Sequence, residues 1–480
     1  LLYISLLQHF DQYINVGENV MGVNLSKEIQ LPLASYPDAV EWINGLLPFG
    51  IRPGLERIER MMEHFGHPHR RLKFIHVAGT NGKGSSCAFL SSTLKECGYD
   101  VGMFTSPYIT KFTNRFQFNG EDIPEETLLS LSNRIAPVVN EIAASELGSP
   151  TMFEVSTALA ILYFAEVCYP DVVVWETGLG GRMDVTNLVT PIVSLITNVG
   201  MDHTDILGDS LEEIASEKAG IIKPGVPVVS CASQSSVIAV LKETAKEKGS
   251  TLYLLGEQFY YDGNVSGLSS QTQSIHFRGP FRAMDLELSM LGQHQCVNAA
   301  GVMMVLEVLR QYMAFVLEDE QVRVGFKNAF WAGRLEQVAE QPRIILDGAH
   351  NPEGAEALTR SLSEAFSYRK LNLMMGMLDN KHHREYLEHI LPIVDTLILT
   401  EPDFRKKMDA DSLYQLVEEL RGDIAKADLE VIVERDWKSA LALLQARTER
   451  EDLGVVTGTL YMISDVRATL LHHTDSEKGW

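Results

Sequence analysis

Cysteine is scarce in this chain, five residues in 480, and Cys87, Cys97, Cys168, Cys231 and Cys296 form an odd set with no Cys-x-x-Cys pair. That spacing excludes a disulfide framework and a zinc site and points to a reducing, cytoplasmic setting. Positive charge is also in short supply. Against 64 Asp+Glu there are 41 Lys+Arg, a formal net charge of −23, which excludes a general nucleic-acid binder but leaves room for a local basic pocket around one anionic ligand. No apolar run reaches the roughly 18 residues that a membrane span needs, and neither tandem repeats nor low-complexity segments occur. The opening LLYISLLQHFDQYINVGENVMG (1–22) contains no Lys or Arg, so it lacks the basic start of a secretory leader. It is set apart from the fold as a disordered leader, a loose N-terminal helix or a start-site artefact.

What remains is globular in character, 45% apolar and 22% charged. At about 100–200 residues per domain the length fits two or three domains, and two are expected. From residue 73 short β-rich apolar runs alternate with amphipathic stretches, which implies βαβ units around a mostly parallel sheet. KFIHVAG (73–79), VGMFTSP (101–107), DVVVWETG (171–178), IVSLITNVG (192–200) and VPVVS (226–230) read as strands. Residues 85–97 and 211–219 read as helices stopped by Gly98 and Gly220. Residues 251–290 turn to Gly, Ser, Thr and alternating patterns, the mark of a small antiparallel insertion before a helix over 296–311. RIILD (343–347), LNLMMGM (371–377), DTLILT (395–400), LEVIV (429–433) and LGVVTG (453–458) then restart the alternation. The expected organisation is α/β throughout. A P-loop ATPase-type, mostly parallel sheet domain with the small antiparallel insertion spans residues 23–330, and a second, Rossmann-like domain spans 331–480, with Pro342 interrupting the chain near the boundary.

HVAGTNGKGSS (76–86) joins a predicted strand to a predicted helix. Its glycines let the backbone turn tightly enough to aim several N–H groups at one anion, and the helix N-terminus adds the positive end of its dipole. Lys83 supplies a point charge for β- and γ-phosphate oxygens, and Ser85 a hydroxyl near the metal position. Gly79, Thr80, Asn81, Gly82, Lys83, Gly84 and Ser85 are thus the candidate loop for a nucleoside triphosphate. Its spacing departs from the general P-loop form, since Val77 lies five residues before Gly82 and Gly84 separates Lys83 from Ser85. The competing reading is a glycine-rich turn with no ligand.

A triphosphate needs a hard cation, and Mg2+ favours oxygen ligands at the C-terminal ends of neighbouring strands. Ser106 ends the second strand beside Pro107, Glu154 opens a helix in TMFEVSTALA, Glu176 ends the apolar DVVVW strand, and His203 follows the next strand in NVGMDHTD. Glu176, terminating a buried strand beside the phosphate loop, has the place of a Walker B acid, whereas Glu154 fits a helix cap equally well. GLGGRMDVTN (178–187) lacks the third glycine of a dinucleotide fingerprint and reads as a tight substrate-side loop that positions Arg182 and Asp184.

From about residue 38 to 470 the chain resembles the folylpolyglutamate synthase and dihydrofolate synthase family, within the wider group of ATP-dependent amide ligases that includes the peptidoglycan Mur ligases. The motifs that carry the resemblance come in family order: PFGIRPGLERI (48–58), HVAGTNGKGS (76–85), FTSPYI (104–109), ETGLGGRMDVTN (176–187), DHTDILGDSLEEIASEKAGIIKPG (202–225), GQHQCVNA (292–299), WAGRLE (331–336), DGAHNP (347–352) and VVTGTLY (455–461). The resemblance implies magnesium ligation by Ser106, Glu154 and His203, and ATP contacts from Asn298, Arg334 and Asp347, with His350 nearby and ATP lying between the domains. It also implies carbamylation of Lys218, which turns a cation into an oxygen ligand for a second Mg2+. An unmodified Lys218, favourable with the helix dipole, is the alternative. Pterin and benzoyl contacts are implied for the loop 50–54, with Ile51 and Arg52, and for FTSPYITKF (104–112), with Pro107 and Tyr108, and a substrate contact for Asp184. Where family members commonly read Ser-Pro-His, this chain reads Ser106-Pro107-Tyr108.

The implied activity is ATP-dependent addition of L-glutamate to dihydropteroate, to reduced folate (poly)glutamates, or to both, through an acyl phosphate. In this reading Lys83 and Mg2+ neutralise the γ-phosphoryl group while Glu176 and His203 orient ions and water, and Lys218 carries the second metal. The expected partners are these small molecules alone, with no nucleic acid and no membrane, and the expected state is a monomer. A Mur-type ligase acting on a UDP-sugar peptide is the nearest alternative, weakened because the roughly 70 residues before the loop are about half a typical domain. A nucleotide-gated binding protein without ligase chemistry is the second.

Overall fold

Every residue of Phe74–Ala78 is buried, and this strand, β1, lies inside an eight-stranded sheet. The computed structural model describes residues 31–47, 52, 54–264 and 272–477, so the leader 1–22 and Ile51 fall outside the described residues. The remaining strands of the sheet are β2 (Val101–Phe104), β3 (Phe116–Phe118), β4 (Glu121–Asp122), β5 (Val172–Glu176), β6 (Val193–Ile196), β7 (Val228–Ser230) and β8 (Leu252–Leu254). Their spatial order is β4-β3-β2-β5-β1-β6-β7-β8, parallel from β2 to β8 with β3 and β4 as an antiparallel edge.

Strands covered on both faces read as continuous apolar runs, and the two-residue period divides their side chains between two cores. Val172 and Val174 of β5 join Ile75 and Val77 of β1 beneath the helices Lys83–Glu96 and Gln293–Tyr312. Val173 and Trp175 join Phe74 and Phe104 beneath Glu125–Ala143 and Met152–Tyr163. Among the described residues no helix is long and apolar enough to cross a membrane.

The antiparallel insertion is β9 (Tyr260–Asn264), β10 (Gln273–Arg278) and β11 (Ala283–Leu288), a sheet of its own. It begins later than residues 251–290 suggest. Leu252–Leu254 is a short apolar run that follows the helix Ser235–Glu247 and returns parallel to β7 as a βαβ unit, so it belongs to the main sheet. The second half holds six strands: β12 (Glu336–Glu340), β13 (Arg343–Leu346), β14 (Leu371–Met375), β15 (Thr396–Glu401), β16 (Glu430–Asp436) and β17 (Leu453–Thr457). They are ordered β12-β13-β17-β14-β15-β16, all parallel except β12. β12 has no counterpart in the strand pattern read from sequence, because EQVAE is an antiparallel edge strand and needs apolar residues on one face only.

Candidate active site

β1 runs directly into the glycine loop. Gly82 stands at φ +81, and a Cβ there would come within 2.4 Å of Asn298 Oδ1. A Cβ at Gly84 would meet the Trp331 indole at 2.5 Å, so it is glycine that lets Asn298 and Trp331 approach the loop. The chain after β6 holds the rim. Asn81 N donates to Asn198 Oδ1 (2.8 Å), Gly200 N to Thr80 Oγ1 (2.9 Å) and Thr197 Oγ1 to Asn81 O (2.6 Å). From the helix Gln293–Tyr312, Gln295 Nε2 donates to Ser85 Oγ (3.1 Å), and Asn298 Nδ2 to Gln295 Oε1 (3.0 Å). Lys83 Nζ donates to the loop carbonyls Gly79 O (3.0 Å) and Thr80 O (3.2 Å) and pairs with no acid among the described residues. Its charge is therefore available to an anion seated on the loop.

Glu176, the last residue of β5, is buried, and its Oε2 accepts from Ser106 N at 2.8 Å. Burial pushes its pKa up to about 7 against the pull of Lys83, the Ser106 amide, Arg334 and Arg115, so a cation brought beside it would favour the carboxylate. Glu154 is placed quite differently. Its Oε2 closes a capping box with Thr151 N (2.7 Å), and its two oxygens receive Arg57 Nε at 2.9 and 3.1 Å, with no part of the residue exposed. This corrects the expectation that Glu154 ligates magnesium: a helix cap and a buried guanidinium claim both oxygens. Glu176 is the carboxylate that stands beside Ser106.

Glu176 Oε1 and Ser106 Oγ carry no hydrogen bond among the described residues, and burial pushes His203 down to about 4, which keeps its imidazole neutral as a ligand must be. Hydroxyl and carboxylate oxygens suit Mg2+, which takes few protein ligands and completes its shell with phosphate and water, and the neutral imidazole stands beside them as a further donor. No group of three or more His, Cys, Asp or Glu side chains gathers for a metal among the described residues. Lys83 is the common electrostatic neighbour of Glu176, His203 and Lys218. Lys218, near the end of the helix Leu211–Ala219, is 2% exposed, and its ammonium has no hydrogen bond or ion pair among the described residues. Burial first, then the charge of Lys83, pushes its pKa down to about 7.

The second half faces this cluster. Asp347, directly after β13, accepts from Ala349 N (2.9 Å) and Leu335 N (3.0 Å); burial raises its pKa and Arg334 opposes the rise. His350 Nδ1 lies 2.8 Å from Gly348 O, and its Nε2 lies 3.7 Å from Asp202 Oδ2. Asp202 is the junction between the halves. It accepts from Lys381 Nζ (2.9 Å) and Asn351 Nδ2 (3.2 Å), and Asn351 Nδ2 also reaches Asn81 Oδ1 (3.1 Å) on the phosphate loop. Burial works against the charge of Asp202, but His350, Lys381 and His203 together hold its pKa below the ordinary carboxylate range. The sequence reading passes over Asp202, Asn351 and Lys381 as site residues. The first two lie inside the motifs DHTD and DGAHNP, whereas Lys381 belongs to no motif quoted above.

On the substrate side, Arg52 is exposed and its carbonyl accepts from Arg57 Nη2 (3.0 Å). Pro107 follows a cis peptide, and Tyr108 is buried with its hydroxyl donating to Glu477 O at 3.0 Å. The Arg182 guanidinium is occupied by Ser216 O (2.9 Å), Ser216 Oγ (2.7 Å) and Glu217 (3.4 Å), which ties the glycine-rich loop to the helix Leu211–Ala219. Asp184 accepts from Leu179 N (2.7 Å), from Thr186 N (3.0 Å) and from the Thr186 hydroxyl. The Gly178 backbone adds a fourth donor, so shaping the loop uses the roughly four acceptor sites that a carboxylate offers.

Two family models match the chain, the Mur ligase middle domain over residues 77–306 and the Mur ligase glutamate ligase domain over residues 333–460. The chain is 37% identical over 445 residues to the dihydrofolate synthase/folylpolyglutamate synthase of Bacillus subtilis, covering 91% of this chain and 99% of that protein. Among solved structures it is similar to Mycobacterium tuberculosis folylpolyglutamate synthase complexed with ADP and AMPPCP, with TM-score 0.82, 27% identity and coverage of 92% and 100%. Escherichia coli FolC in complex with DHPP and ADP gives TM-score 0.79, 27% identity and coverage of 92% and 98%.

Proposed function

We propose, on the premise that this chain belongs to the dihydrofolate synthase/folylpolyglutamate synthase family of Mur-type ligases, that its cleft joins the amine of L-glutamate to the carboxylate of dihydropteroate, of a reduced folate, or of both. The observation that carries the reading is the placement of Lys83, with no acid partner, beside the Glu176–Ser106 pair, while Asn351 and Lys381 of the second half close on Asp202. Residues 79–85 cradle the β- and γ-phosphates, and Asn298, Arg334, Asp347 and His350 meet the rest of the nucleotide from the facing helix and the second half. Ser106, Glu176 and His203 would hold one Mg2+ and a carbamylated Lys218 a second, and such ions would supply charge neutralisation at the phosphoryl group. The acceptor carboxylate displaces ADP from the γ-phosphorus to give an acyl phosphate. The glutamate amine then attacks the acyl carbon, phosphate leaves and the amine loses a proton. Residues 23–330 and 331–480 act as the two domains of a cytoplasmic monomer. The pterin side is formed by residues 104–112 together with Arg52, and Asp184 holds the shape of the loop 178–187 beside it.

Phosphate release with Mg-ATP and L-glutamate tests the reading when 7,8-dihydropteroate, a reduced folate monoglutamate and no acceptor are compared. Release with dihydropteroate alone identifies a dihydrofolate synthase, with the folate alone a tail-extending synthase, and with both a bifunctional enzyme. Release with neither acceptor refutes the proposal.

The carbamate has its own test. A pKa near 7 leaves the Lys218 amine half neutral at neutral pH, and the neutral amine is the form that adds carbon dioxide. With 13C-bicarbonate a carbamate carbon resonance should grow as pH rises through about 7 and vanish in Lys218→Arg, with activity falling about 10²-fold. A fully active Lys218→Arg would show that the lysine works unmodified or not at all.

A further inference from the structure

After the helix Leu460–Arg467 and the turn Ala468–His472, residues 473–477 cross back to the first half. Ser476 Oγ donates to Asp465, and Lys438 Nζ donates to Asp475 Oδ1 at 3.0 Å, which ties this stretch to the second half. Glu477 ends the crossing with four bonds to the first half. Its N donates to Thr110 O (3.0 Å), its O accepts from Tyr108 OH (3.0 Å), and its Oε2 accepts from both Tyr36 OH (2.7 Å) and Phe112 N (2.8 Å). Burial and then the bond to Glu477 raise the Tyr36 pKa, which keeps the phenol a donor. Ser464 Oγ adds a bond to Ile109 O, and Arg467 Nη1 one to Thr110 Oγ1 (3.2 Å). Of residues 108–112, all but Lys111 are therefore gripped from the end of the second half. Two residues before this stretch stands Ser106, whose N–H is on Glu176.

We propose that Glu477 is a positioning residue for the acceptor: with Tyr36 and Phe112 on its carboxylate and Tyr108 on its carbonyl, it fixes residues 106–112 in the shape that receives the pteroate or folate. The inference rests on the assignment of that segment to the acceptor made above. It also gives Tyr108 a task. The hydroxyl that stands where relatives commonly carry an imidazole is turned onto the Glu477 carbonyl, so this position serves the grip.

The test is Glu477→Ala beside Glu477→Gln, read by acceptor-dependent phosphate release and by amide hydrogen exchange over residues 106–112. The alanine variant should raise the acceptor KM about tenfold, the scale of one hydrogen bond to a charged group, and speed exchange in the segment. Its kcat and its KM for ATP should stay within about twofold. Glutamine, which keeps an acceptor oxygen, should restore most of the loss. Unchanged exchange, or an equal rise in both KM values, overturns the proposal. If the alanine variant does not fold, Tyr36→Phe removes one donor alone and should raise the acceptor KM about threefold, and no rise there is equally fatal. Should the unaltered chain release phosphate with neither acceptor, the acceptor reading fails, and exchange alone still decides whether Glu477 holds the segment.

Discussion

Replacing Lys83 with alanine should lower phosphate release by about 10³-fold or more while leaving the chain folded, because in the proposed function the lysine meets charge that develops in the transition state. Its Nζ bonds only the carbonyls of Gly79 and Thr80, both in its own loop, and it opens the helix Lys83–Glu96, where alanine is at least as good a helix former. The melting temperature should therefore move by no more than about 2–4 °C, the scale of 1 kcal/mol. Most of the loss should fall on kcat, since in the proposed reading ATP keeps the backbone amides of the loop and the contacts of Asn298 and Arg334. Turnover near that of the unaltered chain would remove the loop from the chemistry. A collapse of the fold would instead make Lys83 structural, against an Nζ whose hydrogen bonds among the described residues stay within its own loop.

Asp202→Ala should be the second most damaging change, and for another reason. It strands the Lys381 ammonium, 8% exposed, in the junction between the halves and removes one acceptor of Asn351. Removing one partner of a buried pair costs about 3–5 kcal/mol. Each sheet keeps its own core, so the cost falls on the closed arrangement, and kcat/KM should drop on the order of 10²–10³-fold. Lys381→Met in the same chain should recover part of the loss, because it takes away the stranded charge. A double-mutant cycle measures that coupling. Strictly additive losses would show that the two residues do not act on each other, and the pairing would lose its place in domain closure.

Much of this was legible in the sequence, and where it was not the reasons differ. The parallel strands announce themselves because both faces are buried, as in DVVVW, and Gly98 and Gly220 mark helix ends well. β12 is silent because an antiparallel edge tolerates EQVAE. The hairpin between β3 and β4 carries its own signal, Asn119-Gly120 with both residues at positive φ, and goes unread only because each strand is so short. In the site, Lys83 and Glu176 follow from local chemistry. Glu154 misleads, although Thr151-x-x-Glu154 is a capping pattern in plain view and the weight of that pattern should have decided the matter. Asp202 and Lys381 are 179 residues apart, and a pair made only by docking two sheets leaves no spacing to read.

The strand order has a consequence during synthesis. β1 pairs on one edge with β5 and on the other with β6, Phe74 against Val173 and Ile75 against Val193. A ribosome adding about 5–20 residues per second releases β1 several seconds before either neighbour exists, and the facing Asn298 comes later still. The strand that carries the glycine loop thus emerges among the earliest parts of the first half and waits with the N–H and C=O groups of both edges unpaired and its apolar faces uncovered. Until residues 172–196 arrive, that strand is a site that a chaperone would have to shield.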